Sequence, residues 1–421
     1  MDKFIINGGK TLKGEIKVSG AKNASLALLP ATILAPGKSI LKNTPELNDV
    51  FTMIKLLKHM GAEIDFSNYT ITINSGKITD KTAPYEHVIK MRASVYVLGP
   101  LLGRYGRAKV SLPGGCAWGP RPINLHLEAL KKMGAEIDLV DGYIDAKTKR
   151  LHGANIYFDI SSVGATGNTL MAAVLAKGTT VINNAATEPE ITNLAEFLVK
   201  MGGKIDGVGT NALTIEGVQE LHSTEVLTIP DRIEAGTLLI ATAITKGSIV
   251  LKDINPDFLR AVLLKLESAG CRIRIDENNI ELNASGTKIK PTSVSTAIFP
   301  GFPTDMQAQW TAFMALAGGA SSVRDTIYSD RFKHVPELVR LGANISVNEN
   351  IAMIKGVSEL KGAKVMSTDL RASASLVLAG LAAKGTTEIL RVYHLDRGYQ
   401  RIEEKLTQLG ADIKRVAGEE Y

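Results

Sequence analysis

The segment PGGCAWGPRP, Pro113–Pro122, sets one cysteine among three glycines and three prolines, with Arg121 five residues further on. Such a stretch can be neither helix nor central strand, so Cys116 is expected on a hinge-rich loop. A thiol on an exposed loop near a guanidinium is drawn towards its thiolate, the reactive form. Protease chemistry would also need a histidine base and an oxyanion hole. His126 is the nearest histidine in sequence, and no such signature accompanies it. With only two cysteines, a disulfide framework and a cysteine-rich zinc site are both excluded, and the seven scattered histidines show no metal-ligand spacing. No metal is expected.

A second set of chemically capable residues stands at the starts of six small-residue, apolar segments. These are Lys22-Asn23, Arg92, Ser162 through Thr166, Asp231-Arg232, Asp305, and Asp369 with Arg371. A helix amino terminus offers unpaired N–H groups and about half a positive charge, which suits an anion. An aspartate or serine there can simply cap its own helix. Lys22, Arg92 and Arg371 have the wrong sign for that duty. Helix starts directed at a common cleft would make a strongly positive pocket holding a few carboxylates.

The elements that must position these residues come from an internal repeat. One phrase reads LKHMGAEID at Leu57–Asp65, LKKMGAEID at Leu130–Asp138 and LVKMGGKID at Leu198–Asp206. It continues as LESAGCRIR, LVRLGANIS and LTQLGADIK from Leu266, Leu338 and Leu406. Its glycines, Gly61, Gly134, Gly202, Gly270, Gly342 and Gly410, are spaced 73, 68, 68, 72 and 68 residues apart. A 3.6-period apolar run precedes each glycine and an alternating run follows it. The spacing predicts a helix, a left-handed glycine, then a strand. Cys271 takes the place held by Ala62 and Ala135 in other copies and reads as packed.

A second phrase interleaves with the first: a helix apolar nearly all round, hence buried, then a glycine and a β-branched strand. One such unit of about 70 residues cannot bury its own faces, whereas three together can. The expected architecture is therefore α/β, two inside-out, barrel-like domains of three repeats each. The division predicts one domain over 22–229, carrying the loop 113–122. The other comprises 1–21 with 230–421, and the active site falls in the cleft between them.

Composition narrows the class of function. Hydrophobic residues are 45% and charged residues 22% of 421, an ordinary globular balance with chain enough for large cores. The net charge of +6 is spread without a basic run or tail, and aromatics are only 5%, which argues against a nucleic-acid binder. The amino terminus, MDKFIINGGK, lacks an apolar signal core, and no apolar run reaches the roughly 18–20 residues of a membrane span. A cytoplasmic protein acting on an anionic small molecule is expected.

The cysteine loop and the INLHLEALKKMGAEI that follows it resemble the enolpyruvyl transferase family. SGAKNASLALLPA, MRAS, VGAT, EPEI, DRIEAGT, FPTDMQAQ, RFKHVPEL, TDLRASASL and HLDRGYQRIEEKL agree along the whole length. The resemblance is to the branch that uses UDP-N-acetylglucosamine as acceptor. It implies transfer of the enolpyruvyl group of phosphoenolpyruvate to the sugar 3′-hydroxyl by addition and elimination, with no cofactor.

The family's pattern also implies roles. Cys116 becomes a general acid that can form an adduct with phosphoenolpyruvate, and Asp305 the carboxylate that receives the hydroxyl proton. Lys22, Arg92, Arg121 and Arg397 surround the donor's phosphate and carboxylate, while Arg331 and Arg371 add to the field. Guanidinium suits this, since its planar fork binds such anions in pairs. Asn23 contacts the substrates. The sugar nucleotide is expected along Arg121-Pro122, Ser162-Val163-Gly164, Asp305 and Ile327, where backbone N–H groups can meet the diphosphate.

Trp118 stands where the family more often has an aliphatic residue, and Asn124 where many members have aspartate. The first bears on loop packing, the second removes one negative charge near the loop, neither challenges the resemblance, and alkylation of Cys116 by fosfomycin is expected. A sister branch that uses shikimate 3-phosphate shares fold and donor but lacks the cysteine loop. A catalytically idle binding protein on this fold would be expected to have lost Cys116, Asp305 or Lys22.

Overall fold

The computed structural model describes residues 2–89, 91–112 and 123–418, the side chain of Arg92 excepted. It divides into two compact units, Gly20–Ile229 and Met1–Ser19 with Pro230–Tyr421. The loop 113–122, with Cys116, Trp118, Arg121 and Pro122, lies outside the described residues.

Six four-stranded sheets are present, three within each unit, and they remain separate without closing into a barrel among the described residues. Each follows one plan. In the first, Glu225–Leu227 runs parallel to Lys38–Lys42, which pairs antiparallel with Thr70–Asn74, which in turn pairs with Glu63–Ser67. The last sheet borrows from the chain's beginning: Asp2–Asn7 lies between Thr386–Leu390 and Asp412–Ala417. The next strand, Lys13–Lys17, opens the fourth sheet beside Ser248–Lys252.

The glycine phrase folds as its pattern predicts. All six glycines carry a φ between +91° and +107°, a region that only glycine enters without steric cost. At the first, Gly61 N–H donates to Lys58 and Ala62 N–H to the Leu57 carbonyl. Cys271 and Leu266 repeat the second bond in the fourth copy. This double bond satisfies carbonyls left open at the helix end. It places a small residue against the preceding turn, which is why Cys271 is 6% exposed. Burial pushes its thiol up to about 11, so it stays protonated.

The other glycine phrase is less uniform. Gly37, Gly106, Gly178 and Gly385 are left-handed, but in the fourth copy Lys246 takes that conformation (φ 55°) one residue before Gly247.

The second phrase supplies buried helices. Lys22–Ala31, Leu98–Tyr105 and Val163–Ala173 lie at the core of one unit, and Arg232–Ile244, Gln307–Met314 and Leu370–Ala382 at that of the other. Several of their hydroxyls are satisfied within the helix: Thr237 and Thr242 donate to carbonyls four residues back, at 2.7 and 2.9 Å. Trp310, fully buried, meets Phe302 and Phe313 edge-on, with centroids 5.4 Å away in both cases. Its indole N–H donates to the Thr292 carbonyl at 2.9 Å, so the ring is buried with no unmet donor.

Candidate active site

Four of the buried helices begin at an expected motif residue, while Arg92 and Asp305 stand on the short turns Arg92–Val97 and Thr304–Met306 that lead into the other two, and the six starts do different things. Asp231 Oδ1 accepts from the N–H groups of Ile233 and Glu234 at 2.8 and 3.0 Å, and Asp369 Oδ1 from those of Arg371 and Ala372 at 2.9 and 3.1 Å. Ser162 Oγ accepts from Ala165 N–H at 3.3 Å. These three are helix caps, so their presence at helix starts is explained without a ligand. Lys22 opens its helix without capping it, and Arg92 stands first in the turn Arg92–Val97.

In the unit formed by 1–19 and 230–421, Asp305 sits on the short turn Thr304–Met306 that leads into Gln307–Met314. It belongs to an ion-pair group that joins three of the expected residues. Arg331 Nη2 meets its Oδ1 at 2.7 Å and Arg371 Nη2 its Oδ2 at 2.9 Å. The three side chains are only 26%, 11% and 6% exposed. Burial alone would raise the Asp305 pKa, but the two guanidiniums outweigh it and hold the carboxyl well below its ordinary range.

Both arginines have further supports, none of which was foreseen. Arg331 Nη1 donates to Thr304 Oγ1 at 2.9 Å, and Thr304 donates to Asp325 Oδ2 at 2.7 Å. Asp325 is fully buried and also accepts from Thr296 Oγ1 and from the N–H groups of Ile327 and Tyr328. The Ile327 N–H, expected to face a diphosphate, is therefore already engaged at 3.0 Å. Its partly exposed side chain is what it can offer a ligand. Arg371 Nη1 donates to Tyr399 Oη at 3.2 Å. His334, next to this group, is held neutral, its pKa lowered to about 3 by burial and by the Arg331 charge.

Arg397 lies on the turn Val392–Arg397, flanked by two residues in the left-handed region, Arg391 (φ 58°) and Arg401 (φ 42°). Such backbone is costly for residues with a Cβ. Beneath the turn, Arg415 grips Asp396 through two bonds of 2.6 and 3.0 Å and takes Glu403 at 2.7 Å. That clamp fixes the residue next to Arg397.

In the unit 20–229, Lys22 pairs with the buried Asp49 at 3.3 Å, both largely out of water. Sequence reading missed Asp49, which lies in the first turn of the helix Asn48–His59. Asn23 follows Lys22 on the same helix. Gly164 has the His126 ring against it: a Cβ there would come within 2.9 Å of two ring atoms. Asn168 Nδ2 donates to His126 Nδ1 at 2.8 Å and to the Val95 carbonyl at 2.9 Å, tying three segments together behind Ser162-Val163-Gly164. His126 is thus a supporting residue in this unit.

Among the described residues, no three His, Cys, Asp or Glu side chains are grouped to hold a metal ion. None of the described helices is long and apolar enough to cross a membrane.

The fold is that of enolpyruvyl transferases. The crystal structure of the enolpyruvyl transferase NikO from Streptomyces tendae matches with a TM-score of 0.89 at 24% identity, covering 99% of both chains. An EPSP synthase structure from Acinetobacter baumannii matches with a TM-score of 0.75 at 21% identity, covering 99% of this chain and 100% of that one. The family model described as EPSP synthase (3-phosphoshikimate 1-carboxyvinyltransferase) matches residues 6–406. The chain belongs to this enolpyruvyl transferase family. It is 60% identical to the UDP-N-acetylglucosamine 1-carboxyvinyltransferase of Chloroherpeton thalassium, over 100% of this chain and 99% of that protein. It is 55% identical to the protein of the same name from Chlorobium luteolum, over the full length of both.

Proposed function

We propose that the chain transfers the enolpyruvyl group of phosphoenolpyruvate to the 3′-hydroxyl of UDP-N-acetylglucosamine, releasing phosphate. The observation that carries this reading is full-length identity of 55–60% with relatives bearing that activity's name. The cysteine loop PGGCAWGPRP supports the same acceptor over shikimate 3-phosphate.

In the addition step the sugar oxygen bonds to C2 of the donor, a proton goes to C3, and the hydroxyl proton leaves to a base. Elimination then removes a C3 proton and expels phosphate. Cys116 supplies the C3 proton and Asp305 takes the hydroxyl proton. Lys22, Arg92, Arg121 and Arg397 balance the phosphate and carboxylate of the donor, with Asn23 beside them. Pro122 and Ser162-Val163-Gly164 line the path of the sugar nucleotide, together with the Ile327 side chain.

Asp305 as paired here is a weak base, because both its oxygens are held by guanidinium. A donor carboxylate competes for Arg331 and Arg371. Each bond Asp305 gives up raises its pKa towards a value useful for taking a proton. The enzyme would then act in the cytoplasm at the first committed step of peptidoglycan synthesis, serving wall growth and division.

The deciding assay is phosphate release from phosphoenolpyruvate with UDP-N-acetylglucosamine or shikimate 3-phosphate as acceptor. Turnover only with the sugar nucleotide is expected, and turnover only with shikimate 3-phosphate refutes the proposal. Cys116→Ser should lose most turnover and all alkylation by fosfomycin. An unchanged rate removes the proposed acid.

A further inference from the structure

The base chemistry proposed for Asp305 depends on where the Arg371 guanidinium is held, and one buried phenol bears directly on that. Tyr399, two residues past Arg397, is 1% exposed. Its Oη lies 3.2 Å from Arg371 Nη1, 3.1 Å from Gln309 Nε2 and 2.9 Å from Thr237 Oγ1.

Donor counting fixes the direction of each bond. Guanidinium and amide N–H groups only donate, so Oη accepts from Arg371, and the Gln309 hydrogen not spent on the Asp305 carbonyl is shared between Oη and Thr237 Oγ1, each 3.1 Å away. The amide orientation is set by the Asp305 backbone carbonyl, which accepts from Gln309 Nε2 at 2.9 Å. Thr237 commits its own hydrogen to the Ile233 carbonyl at 2.7 Å. The phenolic hydrogen therefore goes to Thr237 Oγ1. Burial raises the phenol's pKa, so it keeps that hydrogen. The ring also carries the guanidinium 5.5 Å from its centroid. A tyrosine serving only the core would need one partner for its hydroxyl. This one gives its hydrogen to Thr237 and also receives the arginine that restrains the proposed base, with a Gln309 hydrogen shared beside it.

We propose that Tyr399 is a positioning residue: its hydroxyl, anchored on Thr237, holds the Arg371 guanidinium in the orientation that pairs with Asp305. The inference rests on the reading of Asp305 and Arg371 as active-site groups given above. Through the adjoining segment it also ties that orientation to the turn carrying Arg397.

Tyr399→Phe keeps the ring and removes the acceptor. Its kcat/KM for phosphoenolpyruvate should fall about tenfold, the loss typical of one hydrogen bond to a charged group, because an Arg371 no longer held by the phenol is also less well placed for the donor carboxylate. The acid limb of its pH profile should move to higher pH, because a less constrained Arg371 pairs less firmly with Asp305. A purely structural tyrosine would leave that limb in place. Thr237→Val removes the phenol's own acceptor without touching the ring, and covers the case in which Tyr399→Phe fails to fold. It should shift rate and pH limb in the same direction, and the double variant should be no worse than Tyr399→Phe alone. Additive losses, or a parental pH limb in either single variant, overturn the proposal. Asp305→Asn and Arg371→Lys separate the two layers. Should they retain turnover, the site reading itself falls. Should they lose it while Tyr399→Phe keeps the parental profile, only the positioning role falls.

Discussion

Mild acid should destabilise the unit that holds Asp305, and His334 should be the reason. His334 immediately precedes the short helix Val335–Arg340, is 1% exposed, and has its pKa lowered to about 3 by burial and the Arg331 charge. In the unfolded chain a histidine titrates near ~6.5. The folded value is the lower one, so between the two the unfolded state binds the extra proton and stability falls with pH. The limiting slope is about 1.4 kcal/mol per pH unit, so at about pH 5 the loss is on the order of 2 kcal/mol. For a unit of about 210 residues that corresponds to a Tm drop of roughly 4–8 °C.

Asp305 has the same sign in a different window. Its folded pKa is depressed, so its contribution is intact above the unfolded carboxylate value of ~3.9 and is lost only as pH falls through the lower folded value. Thermal melts followed by circular dichroism between about pH 7 and pH 4.5 isolate the histidine. His334→Gln should start from a lower Tm and lose much less of it across that range. The residual slope belongs to groups such as the half-buried His394, whose pKa is lowered by burial. Parallel curves for parent and variant would refute the assignment of the acid limb to His334.

Three further outcomes follow from the same geometry. Asp305→Asn leaves two largely buried guanidiniums without their anion and should cost about 3 kcal/mol, towards the lower end for a broken buried pair; chemical denaturation reads it, and a change under about 0.5 kcal/mol would mean that water already screens the group. Arg415→Ala removes the clamp on Asp396 and Glu403 beneath the Arg397 turn, so KM for phosphoenolpyruvate should rise about tenfold while Tm drops by a few degrees; an unchanged KM would show that the turn holds without it. Gln307 is fully buried with both amide atoms unpartnered among the described residues, so Gln307→Met should stabilise by about 1–2 kcal/mol in the same denaturation assay. A destabilised variant would contradict that account.

What could be read from sequence was whatever is decided within one or two turns of chain. The left-handed glycine, the small residue after it and the buried place of Cys271 all follow from bonds spanning five residues or fewer. A further local signal went unused. Asn43, Asn184 and Asp253 stand at the same place in their repeats, just after the strand, each with φ between 55° and 57°. Asparagine and aspartate tolerate that conformation best. The pairings that make the site are of another kind. Asp305 reaches residues 26 and 66 positions away, and Tyr399 meets Thr237 across 162. No pattern in the sequence around Asp305 names those partners, and Asp49, Asp325 and Thr304 escaped notice because each matters only through a tertiary bond.

The same limit explains why three aspartates at one repeated place cannot be ranked from sequence. Asp231, Asp305 and Asp369 all stand at the start of a buried helix, and each could be a cap or a base. In two of them one carboxylate oxygen receives a pair of N–H groups from its own helix, a bond set that fixes the side chain as a cap. Asp305 is excused from that duty: its turn is held instead by Thr304 on Asp325, and its two oxygens face Arg331 and Arg371. Guanidinium partners, unlike a helix's own backbone, can be drawn away by an incoming anion. Of the three, Asp305 is the one whose oxygens are held by side chains for which an anionic ligand can compete. That distinction singles out Asp305 among the three on physical grounds that do not depend on resemblance to any other protein.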